Sequence, residues 1–529
     1  MTALQRILRP AFWRLDDWAS RVFGPAWNPL YNLGALGFFC YWIVAVSGIY
    51  VYIFFDTGIT EAYDSVAYMT DDQWYLAGVM RSLHRYAADA MVVVMVLHLA
   101  REFSYDRYRG VRWFSWLTAV PIVLLVLASG ITGYWLVWDQ LAQYVAIATT
   151  EWLDWLPIFG EPIARNFLAP DALDDRFFSL LVFLHITIPL LLLLALWLHL
   201  QRVSRPRVNP PRGLAATSFT ALLALSLVMP ATSHAPADLA RVPTVLDLDW
   251  FYLGFYPLLD LWSHGTVWAV AAILTLMLAA MPWLPPFRRA AAAQVNLDNC
   301  NGCARCAEDC PFNAISMERR TDGKPFDREA VVKSSLCVSC GICAGSCPTA
   351  TPFRRAGNLV PGIELPDATL ASLRDALDRT AEADSQQVYV IACEHGVRPE
   401  KLGRPGVAVA SLPCVGALPP PFIDYLLSRC GAAGVYLAGC PEGNCHYRLG
   451  GTWTEDRLAR RRDPGLRKRV PRDRVRCGWF QPHQSARLRQ SVEAFRRAVR
   501  GLPPRQVPSA RQLGARSGHA QEDKGAVGP

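Results

Sequence analysis

The chain is 529 residues long, 52% hydrophobic, with 18 tryptophans, 15 cysteines and a formal net charge of +8. That length predicts three or more domains at about 150 residues each, and apolar runs that stop near Pro286 exclude a wholly soluble protein. The Lys and Arg residues in the loops between apolar runs are accounted for by membrane topology, so the formal charge does not require nucleic-acid binding.

The N-terminal stretch RILRPAFWRLDDWASRVFGPAWNPL is amphipathic and Trp-rich, without an apolar run and a small-residue cleavage site. No cleavable signal peptide is expected; a helix lying on the membrane surface is. Six spanning helices are predicted near 33–55, 82–104, 114–138, 178–201, 214–231 and 264–284, each long enough for a hydrocarbon core of about 30 Å. Loop charges orient them. Arg6, Arg9, Arg14 and Arg21, the loop at Arg107, Arg109 and Arg112, and the loop at Arg202, Arg205, Arg207 and Arg212 are basic. The intervening loops carry Asp56, Glu61, Asp64, Asp71 and Asp72, then Asp154, Glu161, Asp171, Asp174 and Asp175. Lys and Arg prefer the cytoplasmic side. The N-terminus and, after six crossings, Arg288 and Arg289 are therefore expected in the cytoplasm, in a multi-pass protein of the bacterial inner membrane.

Two of these helices carry histidine pairs with the same spacing, His84 with His98 and His185 with His199. Fourteen residues is close to four helical turns, so each pair lies on one face of its helix, about 21 Å apart along the axis. A lone intramembrane histidine reads as a satisfied polar residue or a proton relay. Two pairs at matched spacing point instead to two b-type haems, one near each side of the bilayer. Arg81, three residues before His84, and Arg101, three after His98, stand where cations can meet haem propionates.

Further motifs are Asn32-x-Gly34 and Gly48 on the first helix, GITGYWLVWDQ (130–140) on the third, LPIFGEPI (156–163), and RFFSLLVFLHITIP (176–189) leading to His199. With these, residues 1 to about 290 resemble the cytochrome b of bc-type respiratory and photosynthetic complexes. The resemblance implies an all-α dihaem bundle in which His84 and His185 hold the outer haem and His98 and His199 the inner one. It also implies that Gly34, Gly48 and Gly130 let haem edges approach the backbone, as a residue without Cβ allows; ordinary helix packing is the alternative for these glycines. Trp116, fourteen residues before Gly130, stands in the place of a family glycine at the inner haem. LDWFYLGFYPLLD (248–260) lies where the family has a Pro-Glu-Trp-Tyr motif over its outer quinol site, with Leu248, Asp249 and Phe251 replacing Pro, Glu and Tyr. By that resemblance Asp249 is the general base that takes a quinol proton; an interfacial acid beside an aromatic belt is the alternative. The membrane part ends one or two helices short of the full family, and His234 and His264 read as loop or interfacial residues.

Beyond it one pattern occurs twice: Cys300-x-x-Cys303-x-x-Cys306-x-x-x-Cys310-Pro311 and Cys337-x-x-Cys340-x-x-Cys343-x-x-x-Cys347-Pro348. This is the two-cluster ferredoxin signature, in which the fourth cysteine of each run ligates the other cluster. One [4Fe–4S] cluster is expected on Cys300, Cys303, Cys306 and Cys347, the other on Cys337, Cys340, Cys343 and Cys310. Paired zinc sites are the alternative, opposed by the spacing and the following prolines; disulfides are disfavoured in a reducing cytosol.

After a linker with a polar helix in DATLASLRDALDRTAEA, short β-branched runs recur at VYVIACEHG (388–396), VAVASLPCVG (407–416) and GVYLAGCPEGNC (434–445). They predict an α/β module with thiols at the carboxyl ends of its strands. Its four cysteines, Cys393, Cys414, Cys440 and Cys445, are enough for a [2Fe–2S] cluster. GCPEGNCHY (439–447) and LPCVGALPPPFI (412–423) make residues 388–500 resemble the iron–sulfur delta subunit of methyl-viologen-reducing hydrogenase, a module that exchanges electrons with heterodisulfide-reductase-like partners. Gly396 stands where that family often has a further cysteine. Cys40, Cys430 and Cys477 read as structural thiols, and His446 as a packing residue beside a ligand. RLARRRDPGLRKRVPRDRVR (457–476) reads as a solvated helical face or a docking surface for an acidic redox partner.

The expected organisation is a dihaem four-helix domain (1–213), two further spans with the quinol-type loop (214–290), an α+β two-cluster ferredoxin (291–355), a linker (356–385), an α/β [2Fe–2S] domain (386–502) and a disordered tail (503–529). No flavin, nicotinamide or molybdopterin motif occurs. The order of modules implies a wire between a membrane quinone pool, two haems b, the clusters and a soluble partner, with another subunit handling the primary substrate. The expected activity is that of a quinone or quinol oxidoreductase subunit working in a dimer or larger complex with a cytoplasmic flavin or iron–sulfur protein. Two other readings stay open. One is a bc-like bifurcation of quinol electrons, with a Rieske protein or cytochrome c outside; the other is a membrane anchor and relay without quinone chemistry.

Overall fold

The structure is a computed structural model that describes residues 2–158, 162–163, 168, 175–285, 290–353, 359–380, 386–397 and 402–503. The expected positions of Glu161, Asp171, Asp174, Arg288 and Arg289, and of the tail beyond Pro503, lie outside the described residues. The chain divides into two compact units, Met1–Arg288 and Arg289–Pro529.

The first unit is all-helical. Its helices are α1 (Ala3–Phe23), α2 (Leu33–Ile53), α3 (Glu61–Asp71), α4 (Val79–Ser104), α5 (Trp113–Val137), α6 (Gln140–Asp154), α7 (Asp175–Leu200), α8 (Arg212–Val228), α9 (Tyr256–Leu261) and α10 (His264–Ala280). Thr2 opens α1 with a reciprocal capping box on Gln5, which satisfies two orphan backbone donors. One face of α1 docks on the end of α4: Gln5 Nε2 donates to the Phe103 carbonyl at 2.9 Å, and buried Asp16 pairs with Arg101 at 3.2 Å. Leu4, Ile7, Trp18 and Val22 remain exposed on α1, an apolar face available to a membrane surface.

Five helices, Leu33–Ile53, Trp74–Ser104, Gly110–Val137, Asp175–Leu200 and His264–Trp283, are long and apolar enough to cross a membrane, so the protein is a multi-pass membrane protein. The expected sixth span is shorter. Helix α8 has 17 residues, about 26 Å of rise against a core of about 30 Å, because Pro211 and Pro230 bracket it. Among the packed pairs, α2 lies on α4 and α5 on α7. At the His84/His185 end, the segment between α8 and α9 folds over the bundle: Arg81 Nη2 donates to Ser233 Oγ at 2.7 Å, and the His234 amide to Asp139 Oδ2 at 2.8 Å.

The second unit opens with β1 (Gln294–Val295), α11 (Arg305–Glu308), β2 (Ile315–Arg319), β3 (Arg328–Val332), α12 (Ile342–Ser346), β4 (Ile363–Glu364) and α13 (Leu370–Arg379). β2 pairs antiparallel with β3 and β1 with β4. The stretch expected as a linker thus supplies a strand and a helix, and Leu370, Leu373 and Leu377 of α13 are buried in the core. There follow β5 (Val388–Cys393), β6 (Val407–Leu412), α14 (Pro420–Ser428), β7 (Gly434–Gly439), α15 (Gly450–Leu458), β8 (Val475–Trp479) and α16 (Ser485–Arg500). The four strands form a parallel sheet in the order β6-β5-β7-β8. Alternate residues of β5 face opposite layers, Val388 and Val390 toward α16 and Tyr389 and Ile391 toward α13 and α14, as the two-residue period of a strand requires.

The arginine-rich run 457–476 is not one helical face: the helix ends at Leu458, and Arg460, Arg461, Lys468, Arg469, Arg472 and Arg476 beyond it are exposed. Arg457 and Arg474 are buried, and the run ends inside β8. Their guanidinium groups are paired internally, Arg457 with Asp309 and Arg474 with the Ala433 carbonyl at 2.7 Å, which is what permits burial of a charge.

Candidate redox sites

Helices α4 and α7 bring His84 and His185 together with ring centroids 6.3 Å apart. Two metal–imidazole bonds of about 2 Å each, with each centroid about 1 Å behind its nitrogen, give about 6 Å across one metal, so the spacing fits bis-histidine ligation. Second partners orient the rings. His84 Nδ1 lies 2.9 Å from the Val44 carbonyl and 3.3 Å from Ser47 Oγ, and His185 Nδ1 lies 3.2 Å from Thr132 Oγ1. At the other level His199 Nδ1 lies 3.0 Å from Thr118 Oγ1, and His98 is within electrostatic reach of His199. Holding Nδ1 this way leaves Nε2 for a metal. Thr118 and Thr132 repeat the fourteen-residue spacing of the histidines, a signal present in the sequence and passed over there.

The glycines divide by neighbour. A Cβ on Gly34 would stand 3.7 Å from His98, and one on Gly48 only 2.8 Å from His84. Gly130 faces a different group: its Cβ would meet the Tyr252 ring at 2.1 Å, whereas Gly133 is the glycine against His185, at 2.9 Å. Trp116 points away from the histidines, donating to the Leu278 carbonyl at 2.7 Å and packing on Tyr108. Arg81 is bonded to Thr70 and Ser233, and Arg101 to Asp16, with its guanidinium over the Tyr31 and Tyr105 rings.

Asp249 is only 6% exposed, which sets it apart from the exposed aromatics beside it, Trp250 and Phe251. The Tyr134 hydroxyl donates to its Oδ2, and the Phe251 amide to its Oδ1 at 2.8 Å. Asp89 of α4 reaches the same carboxyl, its own Oδ1 has no hydrogen-bond partner, and Arg85 lies over the Tyr134 ring at 5.9 Å. Tyr252 anchors the segment by donating to the Ala88 carbonyl at 2.9 Å. Asp89, Arg85 and Tyr134 were invisible as site residues in the sequence, because only the fold brings α4 and α5 to Asp249.

In the second unit one cavity is lined by Cys310, Cys337, Cys340 and Cys343, and another by Cys300, Cys303, Cys306 and Cys347. These are the two sets expected from the crossed ferredoxin pattern. The thiols of each set surround a cavity rather than touching one another. Burial pushes the Cys306 and Cys340 thiols up to about 12, so a metal entering displaces protons.

Cys393, Cys414, Cys440 and Cys445 gather at the carboxyl ends of β5, β6 and β7, where the strand order reverses about β5, the usual place for a site in such sheets. They form two close pairs. Cys393 Sγ lies 3.6 Å from Cys440 Sγ, and Cys414 is hydrogen-bonded to Cys445. Two thiolates on one tetrahedral metal, with bonds of about 2.3 Å, stand about 3.8 Å apart. His446 stacks on His395 with centroids 3.7 Å apart, beside the thiols.

Residues 19–205 match the family model of cytochrome b/b6/petB, residues 299–351 that of the 4Fe-4S dicluster domain, and residues 385–503 that of the methyl-viologen-reducing hydrogenase delta subunit. The second and third spans coincide with the resemblances read from the motifs; the first covers the four-helix part of the cytochrome b resemblance, read over residues 1 to about 290, and ends before LDWFYLGFYPLLD (248–260). Among solved structures, a chain of a hyperthermophilic respiratory Complex III aligns over 48% of this chain and 75% of its own length, at 21% identity and a TM-score of 0.40. The cytochrome b match implies haem b and the dicluster match iron–sulfur cofactors, which makes this a membrane electron-transfer protein.

Proposed function

We propose that this chain, a cytochrome b segment joined to a dicluster ferredoxin module and a hydrogenase-delta-type domain, is the electron-transferring subunit of a membrane-bound quinone or quinol oxidoreductase. It connects a quinone pool to a soluble redox partner and works within a larger complex. The observation that carries this reading is the imidazole pair 6.3 Å apart in the membrane unit of a chain whose other unit surrounds two cavities with eight thiols.

His84 with His185, and His98 with His199, hold two haems b; the eight ferredoxin cysteines hold two [4Fe–4S] clusters. The thiol pairs Cys393/Cys440 and Cys414/Cys445 hold a [2Fe–2S] cluster, one pair per iron; the 3.6 Å separation of the first pair supports two-iron over four-iron ligation. When bound, these groups supply one-electron redox centres.

The chain's own chemistry is proton handling. Asp249, buried against Tyr134, accepts a proton from quinol at the outer face. Asp89 offers a second carboxyl beside it, and Arg85 compensates the negative charge. With α8 taken as the sixth crossing, the basic loops support a cytoplasmic N-terminus and cytoplasmic iron–sulfur domains in a bacterial inner membrane; in that orientation proton release and electron delivery occur on opposite sides.

The test is the haem b spectrum of the purified protein on adding a quinol analogue. Reduction of haem b is expected. If the spectrum does not change while dithionite still reduces the haem, the chain is a relay without quinone chemistry.

A further inference from the structure

The ferredoxin module and the sheet module meet through the loop that carries Cys414. This loop follows β6 and lies on α12: a Cβ on Gly345 would stand 2.1 Å from the Gly416 carbonyl, and one on Gly341 2.9 Å from the Ala417 Cβ. Cys340, Ile342, Cys414 and Trp453 form one buried cluster across the seam. Gly341 and Cys340 line the cavity of Cys310, Cys337 and Cys343. The other cavity is lined, among the described residues, by Cys300, Cys303, Cys306, Cys347 and neighbours that include none of these seam residues.

A buried cation, Arg457, spans the seam. Arg457 of α15 donates to Asp309 Oδ2 at 2.5 Å, to Ser346 Oγ at 2.6 Å and to the Gly416 carbonyl at 2.9 Å. Asp309 and Ser346 immediately precede Cys310 and Cys347, and Gly416 follows Cys414 by two residues. Arg462 and Ser346 share the Asp309 carboxylate, and the guanidinium of Arg457 is within electrostatic reach of Cys414.

We infer that the four-thiol site of Cys393, Cys414, Cys440 and Cys445 exchanges electrons directly with the cluster of Cys310, Cys337, Cys340 and Cys343, and that Arg457 is the positioning residue that holds the two together. The inference rests on the reading of these thiols as cluster ligands. In the step one electron leaves one iron–sulfur centre and reduces the other; no bond forms or breaks and no proton moves. The soluble partner of the proposed function supplies or removes that electron. The cluster of Cys300, Cys303, Cys306 and Cys347 then stands second in line. The fork of Arg457 fixes geometry through two nitrogens, and its charge favours the reduced, more negative centre at Cys414.

The experiment is electron paramagnetic resonance of the full chain, purified without oxygen and fully reduced. In the wild type, the signal of the four-thiol centre is expected to be broadened by its neighbour. Cys337→Ala, which disables the near cluster, abolishes that broadening, and Cys303→Ala leaves it. The reverse pattern, or no broadening while all three centres are present, overturns this inference alone; absence of a third centre in the wild type overturns the underlying reading instead. Arg457 variants retain every ligand and do not depend on cluster-less protein folding. Arg457→Lys keeps the charge and loses the fork, so the broadening weakens while the midpoint potential of the four-thiol centre holds. Arg457→Met weakens the broadening and also lowers that potential. Wild-type broadening and potential in Arg457→Met, with full iron content, overturn the role of Arg457.

Discussion

In the second unit each ferredoxin cavity draws three of its four thiols from one run of seven residues, Cys300 to Cys306 or Cys337 to Cys343. In the membrane unit the two imidazoles of a pair come from helices about a hundred residues apart, and Asp249 meets Tyr134 across 115 residues. A site built from a short run keeps most of its geometry whenever that loop forms. A site built between distant segments depends on every helix packing correctly, so its second partners, Thr118, Thr132 and Asp89, carry more of the burden. Damage should therefore be all-or-none at ligands and graded at those partners.

The largest effect should follow loss of a ligand histidine. His98→Ala is expected to remove the inner haem and leave the outer one, so redox titration shows a single b-type component. Two unchanged midpoint waves would mean that the pairing of imidazoles by level is wrong.

Next in size is the proton-accepting carboxyl. Asp249→Asn keeps the size and most of the polarity but not the base. Quinone-linked turnover should fall roughly 10²-fold, the lower end of general-base effects, with haem spectra intact. Asp89→Asn should cost less, because Asp249 keeps its bond from Tyr134. Equal losses in the two variants would show that the carboxyls act as a unit rather than as base and support.

The contrast between the units also explains what the sequence disclosed. Cysteine spacing specifies the crossed ferredoxin sets completely, because the ligands of each cavity are encoded within runs that any reader can count. Histidine spacing puts each helix's two histidines on one face, since a helix converts fourteen residues into one face; which of them pair across the helices came from the family resemblance. Gly130 and Gly133 were not separable that way: which of two glycines one turn apart meets His185 is decided by helix rotation, and the structure gives that place to Gly133. Arg457 was read with its charged neighbours, although its partners Asp309 and Ser346 lie more than a hundred residues away. The shortness of α8 was legible in Pro211 and Pro230, which bracket its 17 residues, while its apolar composition is what reads as a span.

A smaller effect is expected where a hydroxyl only orients a ligand. Thr132→Val is nearly isosteric but removes the oxygen beside His185 Nδ1. Loss of such outer partners costs metal affinity by about tenfold at the mild end, so the outer haem should dissociate more readily in detergent while the inner haem is retained. Thr118→Val should do the reverse. If both variants weaken both haems alike, the threonines serve the packing of α5 on α7 and not individual rings.

The smallest effect concerns the segment that reads as a linker. Thr369 caps α13 by accepting the Ser372 amide at 3.2 Å, and α13 buries three leucines against the sheet module. Removing such a cap costs about 1 kcal/mol when the helix belongs to the cooperative fold, and nothing when the helix is an independent tether. Thr369→Ala should therefore lower the denaturation midpoint of the second unit, followed by the near-ultraviolet signal of its buried tyrosines, by an amount matching about 1 kcal/mol. An unchanged midpoint would return residues 356–385 to the status of a linker and would make Leu370, Leu373 and Leu377 a lightly held cover rather than part of the core.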